Sequence, residues 1–359
     1  MFNLYLDANA HLPMTHAALA SFTKVNNGQM GHGHPMSPGV TGRAAAWAIE
    51  EARGNIANYL GCKSNQIIFT STCSQACEWG IKIASKLARN FFVSKAEHPA
   101  VKQSVSRYID RYESMEIDSH GLCKINQDLG ADTGVVCIHV QNETGVIQDA
   151  PTKFSENLLF SDMCQTPGKL PINLGQLDVD IAPFAAHKFG GPASVGFLYL
   201  KNIEWWEEFG AGSRYFTDRA GTPDAASVVA TATALGEAVA TLQERSERGK
   251  SFQKFLEDGL EDMSLEIVSK DAPRVWNTTF VHMPDGAGIK TMLSLGEKGI
   301  HVGLGSACGS AYTGTSPLMQ SMNRTGGPHD YMRISQFGEY GITEAKHFLK
   351  VFKECYKQQ

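Results

Sequence analysis

From about residue 40 onward, windows with apolar residues at helical spacing alternate with short apolar runs, the pattern of parallel strands joined by crossover helices. An α/β fold is expected. Arg43 to Leu60 brings Ala46, Trp47, Ile49, Ile56 and Leu60 close to one helical face, and Gly61 stops the helix. Strands are expected at Gln66 to Thr70, Arg89 to Val93, Gly134 to Val140, Leu158 to Ser161 and Val195 to Leu200, with helices after Ser74 and Pro99. Beyond about Thr222 the texture changes to a long helical window reaching Leu256. Apolar pieces follow around Leu265, Thr278 to His282 and Ile300 to Leu304, and a closing helix starts at Thr343. This predicts a large domain over residues 14–240 and a smaller α+β domain made of residues 1–13 with 241–359.

Composition narrows the class. The 359 residues are 42% hydrophobic and 19% charged, enough for one large or two medium domains with a sizeable core. Thirty-two Lys and Arg stand against 37 Asp and Glu, so no basic surplus exists to neutralise a nucleic-acid backbone or an anionic membrane. Direct nucleic-acid binding is not expected. Eight scattered cysteines with no Cys-x-x-Cys pair read as reduced thiols. The amino end, MFNLYLDANAHLP, lacks the features of a secretory signal, so a cytoplasmic protein is expected. The alanine-rich stretch from Ser227 to Leu242 is too short and too polar to span a bilayer, and no membrane segment is expected.

Candidate chemistry sits in a few short segments. In Asp178 to Gly191 (DVDIAPFAAHKFGG) an apolar stretch ends at His187-Lys188, and Phe189, Gly190 and Gly191 follow. A lysine at the mouth of a sheet, beside a turn too flexible to force its direction, is partly desolvated and stays reactive as a Schiff-base amine. Taken alone, the same lysine fits a surface loop. LLFSD (158–162) puts Asp162 at the end of another apolar strand, where open α/β sheets bind ligands. That position suits the protonated ring nitrogen of pyridoxal 5'-phosphate (PLP); alone it would be a helix cap. FTSTCSQ (69–75) offers a strand, small hydroxyl and thiol residues and a helix start, whose free N–H groups favour an anion. His32 and His34 in GHGHP have no companion carboxylate motif, so no metal site is expected.

These pieces belong to a longer series: LDANAHLP (6–13), GHPMS (33–37), FTSTCSQ (69–75), AEHPAV (96–101), HVQNETGVIQD (139–149), SDMCQTPGKLPI (161–172), AAHKFGGP (185–192), RAGTPD (219–224), GSACGSA (305–311) and MRIS (332–335). In this order they resemble the NifS/IscS-like cysteine desulfurases of the class V aminotransferase family, which are fold-type I PLP enzymes. The resemblance runs from about Tyr5 to about Phe337. It implies a large domain with a mainly parallel seven-stranded sheet, a smaller α+β domain and a homodimer. Lys188 would bind PLP covalently, Asp162 would pair with the ring nitrogen, Gln165 would contact the ring hydroxyl, and His98 would stack on the ring. Cys73, Ser74, His187 and, from a second subunit, Thr222 would hold the phosphate. Asn142 and Arg333 would bind the substrate L-cysteine, the arginine by a bidentate grip on its carboxylate.

Cys308 completes the implied set. It lies in GLGSACGSAYTGTSP, too small in its side chains to pack a core and apt for a mobile loop that carries a thiol between sites. The implied reaction leaves L-alanine and a persulfide on Cys308, which a sulfur-acceptor protein then collects. Departures from the family pattern are Ala185 for a serine, Thr72 for a glycine, Ser74 for a threonine, Gln75 for an acidic residue, and His11-Leu12-Pro13 for Thr-Thr-Pro. Two other readings stay open: an aminotransferase or a selenocysteine or cysteine-sulfinate lyase on the same fold, and a non-catalytic subunit that keeps the fold as a binding module.

Overall fold

Side chains along a strand point alternately to its two faces, so a sheet covered on both sides needs apolar residues at every position. The strands near the middle of this chain meet that condition. In the computed structural model, residues 3–357 are described except 30, 125–128, 131, 151–153, 155, 156, 210–221, 223 and 306–315. After a short first strand, β1 (Leu4–Leu6), come β2 (Ile67–Thr70), β3 (Asn90–Ser94), β4 (Glu113–Met115), β5 (Thr133–Val136), β6 (Leu158–Phe160), β7 (Ile181–Ala185) and β8 (Gly196–Leu200). The last seven form one sheet in the order β2-β8-β7-β6-β5-β3-β4. Ala182 and Phe184 of β7 and Phe197 and Tyr199 of β8 enter the core on one face, and Ile181, Leu198 and Leu200 enter the core on the other.

The expected mainly parallel seven-stranded sheet is present. β8 is antiparallel to both its neighbours, β2 and β7. This reversal has a functional consequence, because Gly196 at the start of β8 pairs with Thr70 at the end of β2 and with Ala185 at the end of β7. The segments that follow these two strand ends are thereby neighbours.

Helices α1 (His16–Asn26), α2 (Val40–Leu60), α3 (Cys73–Leu87), α4 (Pro99–Tyr108) and α5 (Glu204–Phe209) precede α6 (Ala225–Ala240) and α7 (Leu242–Glu261). α3 packs on β6, β7 and β8, while α1 and α2 pack on α6. The alanines of α6 let these helices approach closely, and Gly236 lies against the Tyr59 ring, where an added Cβ would be 2.7 Å from its hydroxyl. The long helical window is therefore two helices, bent by 66° at Thr241. Among the described residues no single helix is long and apolar enough to cross a membrane. The face expected of the second helix also needs correction. Its buried stripe runs through Ala45, Ala48, Ile49, Ala52, Ile56 and Leu60, and Trp47 is 61% exposed.

The remaining elements are β9 (Glu266–Ile267), β10 (Thr278–His282), α8 (Ala287–Glu297), β11 (Ile300–Val302), α9 (Pro317–Ser321), β12 (Tyr331–Ser335) and α10 (Ile342–Tyr356). β12, β10 and β9 make an antiparallel sheet, and β11 pairs in parallel with β1. Leu4 and Leu6 share a core with Phe252, Leu256, Phe348 and Phe352. The amino-terminal segment is thus anchored on the chain's last third, and from there it runs to the edge of the large sheet.

Candidate active site

Strands that run the same way expose their carboxyl ends at one edge, and there the chain turns and loses its ladder partners. At this edge β2 leads into Cys73 and Ser74, β3 into His98, β5 into Asn142, β6 into Asp162 and Gln165, and β7 into His187 and Lys188. All of them line one cavity of about 240 Å³, together with Asn9, Ala10 and, from β12, Arg333. Most of the expected site residues thus meet in one place. Thr222 does not line this cavity; it is exposed, with Oγ1 3.3 Å from His34 Nε2. Cys308 lies outside the described residues.

Lys188 closes a 3-10 turn, Ala186–Lys188, directly after β7. Its Nζ donates to the carbonyls of Asn9 at 2.6 Å and Ala10 at 2.7 Å, which aims the amine along the cavity wall. The turn after it is packed, contrary to the expected flexibility. Gly190 has φ +86°, and a Cβ there would lie 2.5 Å from Thr15 Cγ2. Thr15 N in turn donates to Gly190 O at 2.9 Å. Glycine is needed here for a close approach of the amino-terminal segment in a left-handed backbone region.

Asp162 is 4% exposed, and its Oδ1 accepts from Cys164 N at 3.0 Å. Burial pushes its carboxyl up from the ordinary 3.8 to about 6, against the lowering pull of the Cys164 amide and the Lys188 ammonium. The folded chain therefore binds this proton more tightly than the unfolded chain. Stability falls as pH rises from about 4 to about 6, and a penalty on the order of 3 kcal/mol stands at neutral pH. A cation beside Asp162 would relieve that penalty. Asp162→Asn is expected to raise the Tm of the cofactor-free protein by several degrees at about pH 7.5 and to change it little at about pH 4.5. Equal shifts at both pH values in a thermal scan would rule out the carboxylate charge as the cause.

The histidines stay neutral. Burial, helped by the Lys188 and Lys102 ammoniums, pushes His98 down to about 4. Burial, with Lys188 and His11, pushes His187 down to about 3. His98 caps α4, and its Nδ1 accepts from Ala100 N at 3.2 Å, so the ring proton belongs on Nε2. His187 has a buried Nδ1 with no partner among the described residues, and its ring stacks on His11 at 5.5 Å. His11, a departure from the family pattern, therefore has a structural task.

The start of α3 forms an anion cradle. Thr72, another departure, caps the helix by accepting from Gln75 N at 3.2 Å, and Ala76 N donates to Thr72 O. The amides of Cys73 and Ser74 have no partner among the described residues, and they lie at the positive end of the helix dipole. Gly196 makes room for this turn, since a Cβ on it would lie 2.6 Å from Cys73 N. At the opposite wall Arg333, 1% exposed, donates to Asp7 Oδ1 at 2.7 Å and Asn142 O at 3.2 Å, and its Nε is buried without a partner among the described residues. A guanidinium left short of acceptors in this way suits a carboxylate.

Sequence reasoning missed the residues that tie these walls together. Asn9 is the hub: its carbonyl accepts from Gln165 Nε2 and Lys188 Nζ, and its side chain meets Thr278, Asn277, Lys169 and the carbonyl of Asn142. Lys169 is 2% exposed and donates to Asn9 Oδ1 at 3.0 Å and to Gln165 Oε1. Burial, reinforced by Lys188, Arg333 and Arg245, holds its amine well below the ordinary lysine range. Both residues lie inside segments that signalled the site, but nothing local marks a buried hydrogen-bonding role. Sequence reasoning also missed that the sulfurs of Cys73 and Cys164 meet, with Cα atoms 7.3 Å apart, wider than the ordinary span of a disulfide. They lie 91 positions apart and come together where the segments after β2 and β6 meet at the cavity.

Comparison with known proteins agrees with this geometry. The chain matches the family described as aminotransferase class-V over residues 4–344. It is 32% identical over 309 residues to the cysteine desulfurase IscS of Photorhabdus laumondii subsp. laumondii, covering 78% of this chain and 74% of that one. It is 29% identical over 346 residues to the cysteine desulfurase IscS of Dictyoglomus turgidum, covering 89% and 86%. A solved NifS-like protein superposes over 100% of both chains with a TM-score of 0.86 and 25% identity. The chain belongs to the aminotransferase class-V family, and within it to the NifS/IscS-like cysteine desulfurases.

Proposed function

We propose that the chain is a PLP-dependent cysteine desulfurase that converts L-cysteine to L-alanine and holds the sulfur as a persulfide on Cys308 for an acceptor protein. The observation that carries this reading is the single cavity in which the buried Asp162 carboxylate, the Lys188 amine and the unpartnered amides at the start of α3 converge. They fit a molecule with a basic ring nitrogen, an aldehyde and a phosphate. When bound, PLP supplies an electron sink that makes the α-proton of the substrate acidic.

The chain's own residues do the rest. Arg333, with Asp7 fixing one edge of its guanidinium, grips the substrate carboxylate, and Asn142 stands beside it. Lys188 Nζ moves the α-proton, guided by the Asn9 and Ala10 carbonyls. His98 is neutral, carries its proton on Nε2 and lines the same cavity. The Cys308 thiolate attacks the substrate sulfur. An S–S bond forms, the substrate C–S bond breaks with its electron pair left on carbon, and that carbon takes up a proton to become the methyl of alanine. The segment carrying Cys308 follows Gly305, whose Cβ position is 3.0 Å from Glu143 Oε2, and Glu143 is the neighbour of Asn142.

Thr222 is exposed and away from its own chain's cavity, which supports a homodimer in which it reaches the phosphate of a second copy. The bend between α6 and α7 supports a domain boundary near residue 240. A cytoplasmic setting, with its thiol reductants, suits a persulfide carrier.

The test is incubation of the protein with L-cysteine. Alanine and thiol-labile sulfane sulfur should appear in equal amounts. Alanine without sulfane sulfur would point to another lyase or transaminase chemistry, and protein that takes up no PLP would point to a binding module. Lys169 supports the same reading, because its donation to Gln165 Oε1 leaves that amide, whose Nε2 also donates to Asn9 O, one N–H to present to the ring oxygen. Lys169→Met removes two buried hydrogen bonds, to Asn9 Oδ1 and Gln165 Oε1; loss of the one that orients Gln165, about 1.4 kcal/mol, is expected to weaken PLP about tenfold in a fluorescence titration. Lys169→Arg should restore part of the loss, whereas unchanged affinity in Lys169→Met would remove Lys169 from the site.

A further inference from the structure

The reaction assigned above uses the thiol of Cys308, yet two other sulfurs meet in the cavity. Cys73 opens α3 and Cys164 follows β6, and both line the cavity that holds Lys188 and His98. Their Cα atoms are 7.3 Å apart, wider than one S–S bond ordinarily spans. An ion shared by the two sulfurs makes a longer link. Two metal–sulfur bonds of about 2.3 Å at a tetrahedral angle set the sulfurs about 3.8 Å apart, a bridge that suits the wider span. A carboxylate oxygen of Asp162 joins them, and the three ligand atoms all lie within 4.8 Å of one another. The group is held from two strand ends, and the Cys164 amide fixes the carboxylate by donating to Asp162 Oδ1 at 3.0 Å. Thiolate ligands favour ions of the zinc class over magnesium or calcium. Two thiolates and one carboxylate carry three negative charges against the two positive charges of such an ion, and the charge left over faces the Lys188 amine, which lines the same cavity.

We propose that Cys73, Cys164 and Asp162 form a site for a thiophilic divalent cation of the zinc class, taken up when PLP is absent and excluded when PLP is bound. Each thiol gives up its proton to solvent as its sulfur takes the ion, and a water from the cavity fills the fourth position. The exclusion follows from a shared ligand. Asp162 Oδ1 already accepts from the Cys164 amide, so the other oxygen serves either the ion or the ring nitrogen. A carboxylate that holds the ion no longer offers its charge to a protonated ring. By linkage, PLP and the ion lower each other's affinity by one and the same factor. The exclusion rests on the PLP reading; the ion site itself rests on the three side chains alone.

The full chain is stripped of cofactor and metal, reduced, freed of the reductant and titrated with Co²⁺, whose sulfur-to-metal absorption reports thiolate ligands. The sulfur-to-cobalt band and the visible bands of a four-coordinate ion should grow together, and Zn²⁺ should displace the cobalt. X-ray absorption of the zinc form should show two sulfurs at about 2.3 Å with oxygen ligands at about 2.0–2.2 Å. Cys164→Ala should weaken binding at least about tenfold, and Cys308→Ser should bind as the parent does. PLP-loaded protein should bind Zn²⁺ at least about tenfold more weakly than the stripped protein, and Zn²⁺ should weaken PLP by the same factor until a chelator is added. Absence of the sulfur-to-cobalt band, a zinc shell without sulfur, parent affinity in Cys164→Ala, lost binding in Cys308→Ser, or equal zinc affinity with and without PLP would each overturn the proposal. Chelated protein that binds no PLP would instead overturn the functional reading and the exclusion with it, while the cobalt band still decides the ion site.

Discussion

Cys308→Ser protein is expected to bind PLP as the parent does and to lose sulfur release from L-cysteine by at least about 10³-fold. Serine keeps the size of the side chain and removes the thiolate, so the effect isolates nucleophilicity. Cofactor content should hold, because the groups assigned to PLP, Lys188, Asp162 and the start of α3, are unchanged. Visible absorbance measures the first quantity, and sulfide released in the presence of a reducing thiol measures the second. Full turnover would transfer the role to another cysteine. Cys62, Cys77, Cys137 and Cys355 make poor substitutes. Burial pushes Cys62 up to about 12 and holds Cys77 well above its ordinary value, and Cys137 and Cys355 are buried.

Lys188→Ala is expected to cost on the order of 10⁴-fold in turnover, because one atom, Nζ, serves as both the covalent anchor and the proton carrier. Borohydride should no longer fix PLP to the protein, and the peptide bearing position 188 should stay unmodified in a digest. The substitution also strips the carbonyls of Asn9 and Ala10 of a donor, so a loss of about 1–3 kcal/mol of stability should accompany it in denaturant melts. A cofactor that remains borohydride-trappable would move the attachment elsewhere, with Lys169, on Asn9 and Gln165, the first to examine.

The two outcomes separate different halves of the chemistry. Cys308 acts on sulfur after the substrate is bound, while Lys188 is needed before the substrate can be activated. A protein that fails both tests in the same way, with cofactor lost in each, would show that the segment carrying Cys308 supports the PLP site structurally.

Much of the site was legible because open α/β sheets put chemistry at strand ends. Asp162 and Lys188 each follow an apolar run and precede a turn, a pattern visible within a dozen residues. Arg333 was legible for the opposite reason, as a charge inside an apolar strand. Asn9 and Lys169 were not legible in role, since their partners lie in distant parts of the chain. Trp47 was misplaced because helical spacing ranks residues by hydrophobicity, and the contact with α6 selects a face of small residues that lets helices approach closely. The packed turn at Gly190 was read as flexible because the need for glycine came from Thr15, and the Cys73–Cys164 contact was invisible for the same kind of reason.

Local pattern by itself determined the α/β class, most of the strands and helices, and the placing of Asp162 and Lys188 after apolar strands, because period and strand-end position are short-range properties. The tertiary structure alone decided which ends share an edge. The reversal of β8 sets the start of α3 next to the turn of Lys188, and the pairing of β1 with β11 delivers Asn9 between them. Burial of Asp162, the neutrality of His98 and the contact of two cysteines follow from that convergence, since each depends on how much water and which charges remain nearby once separate segments have closed around the cavity.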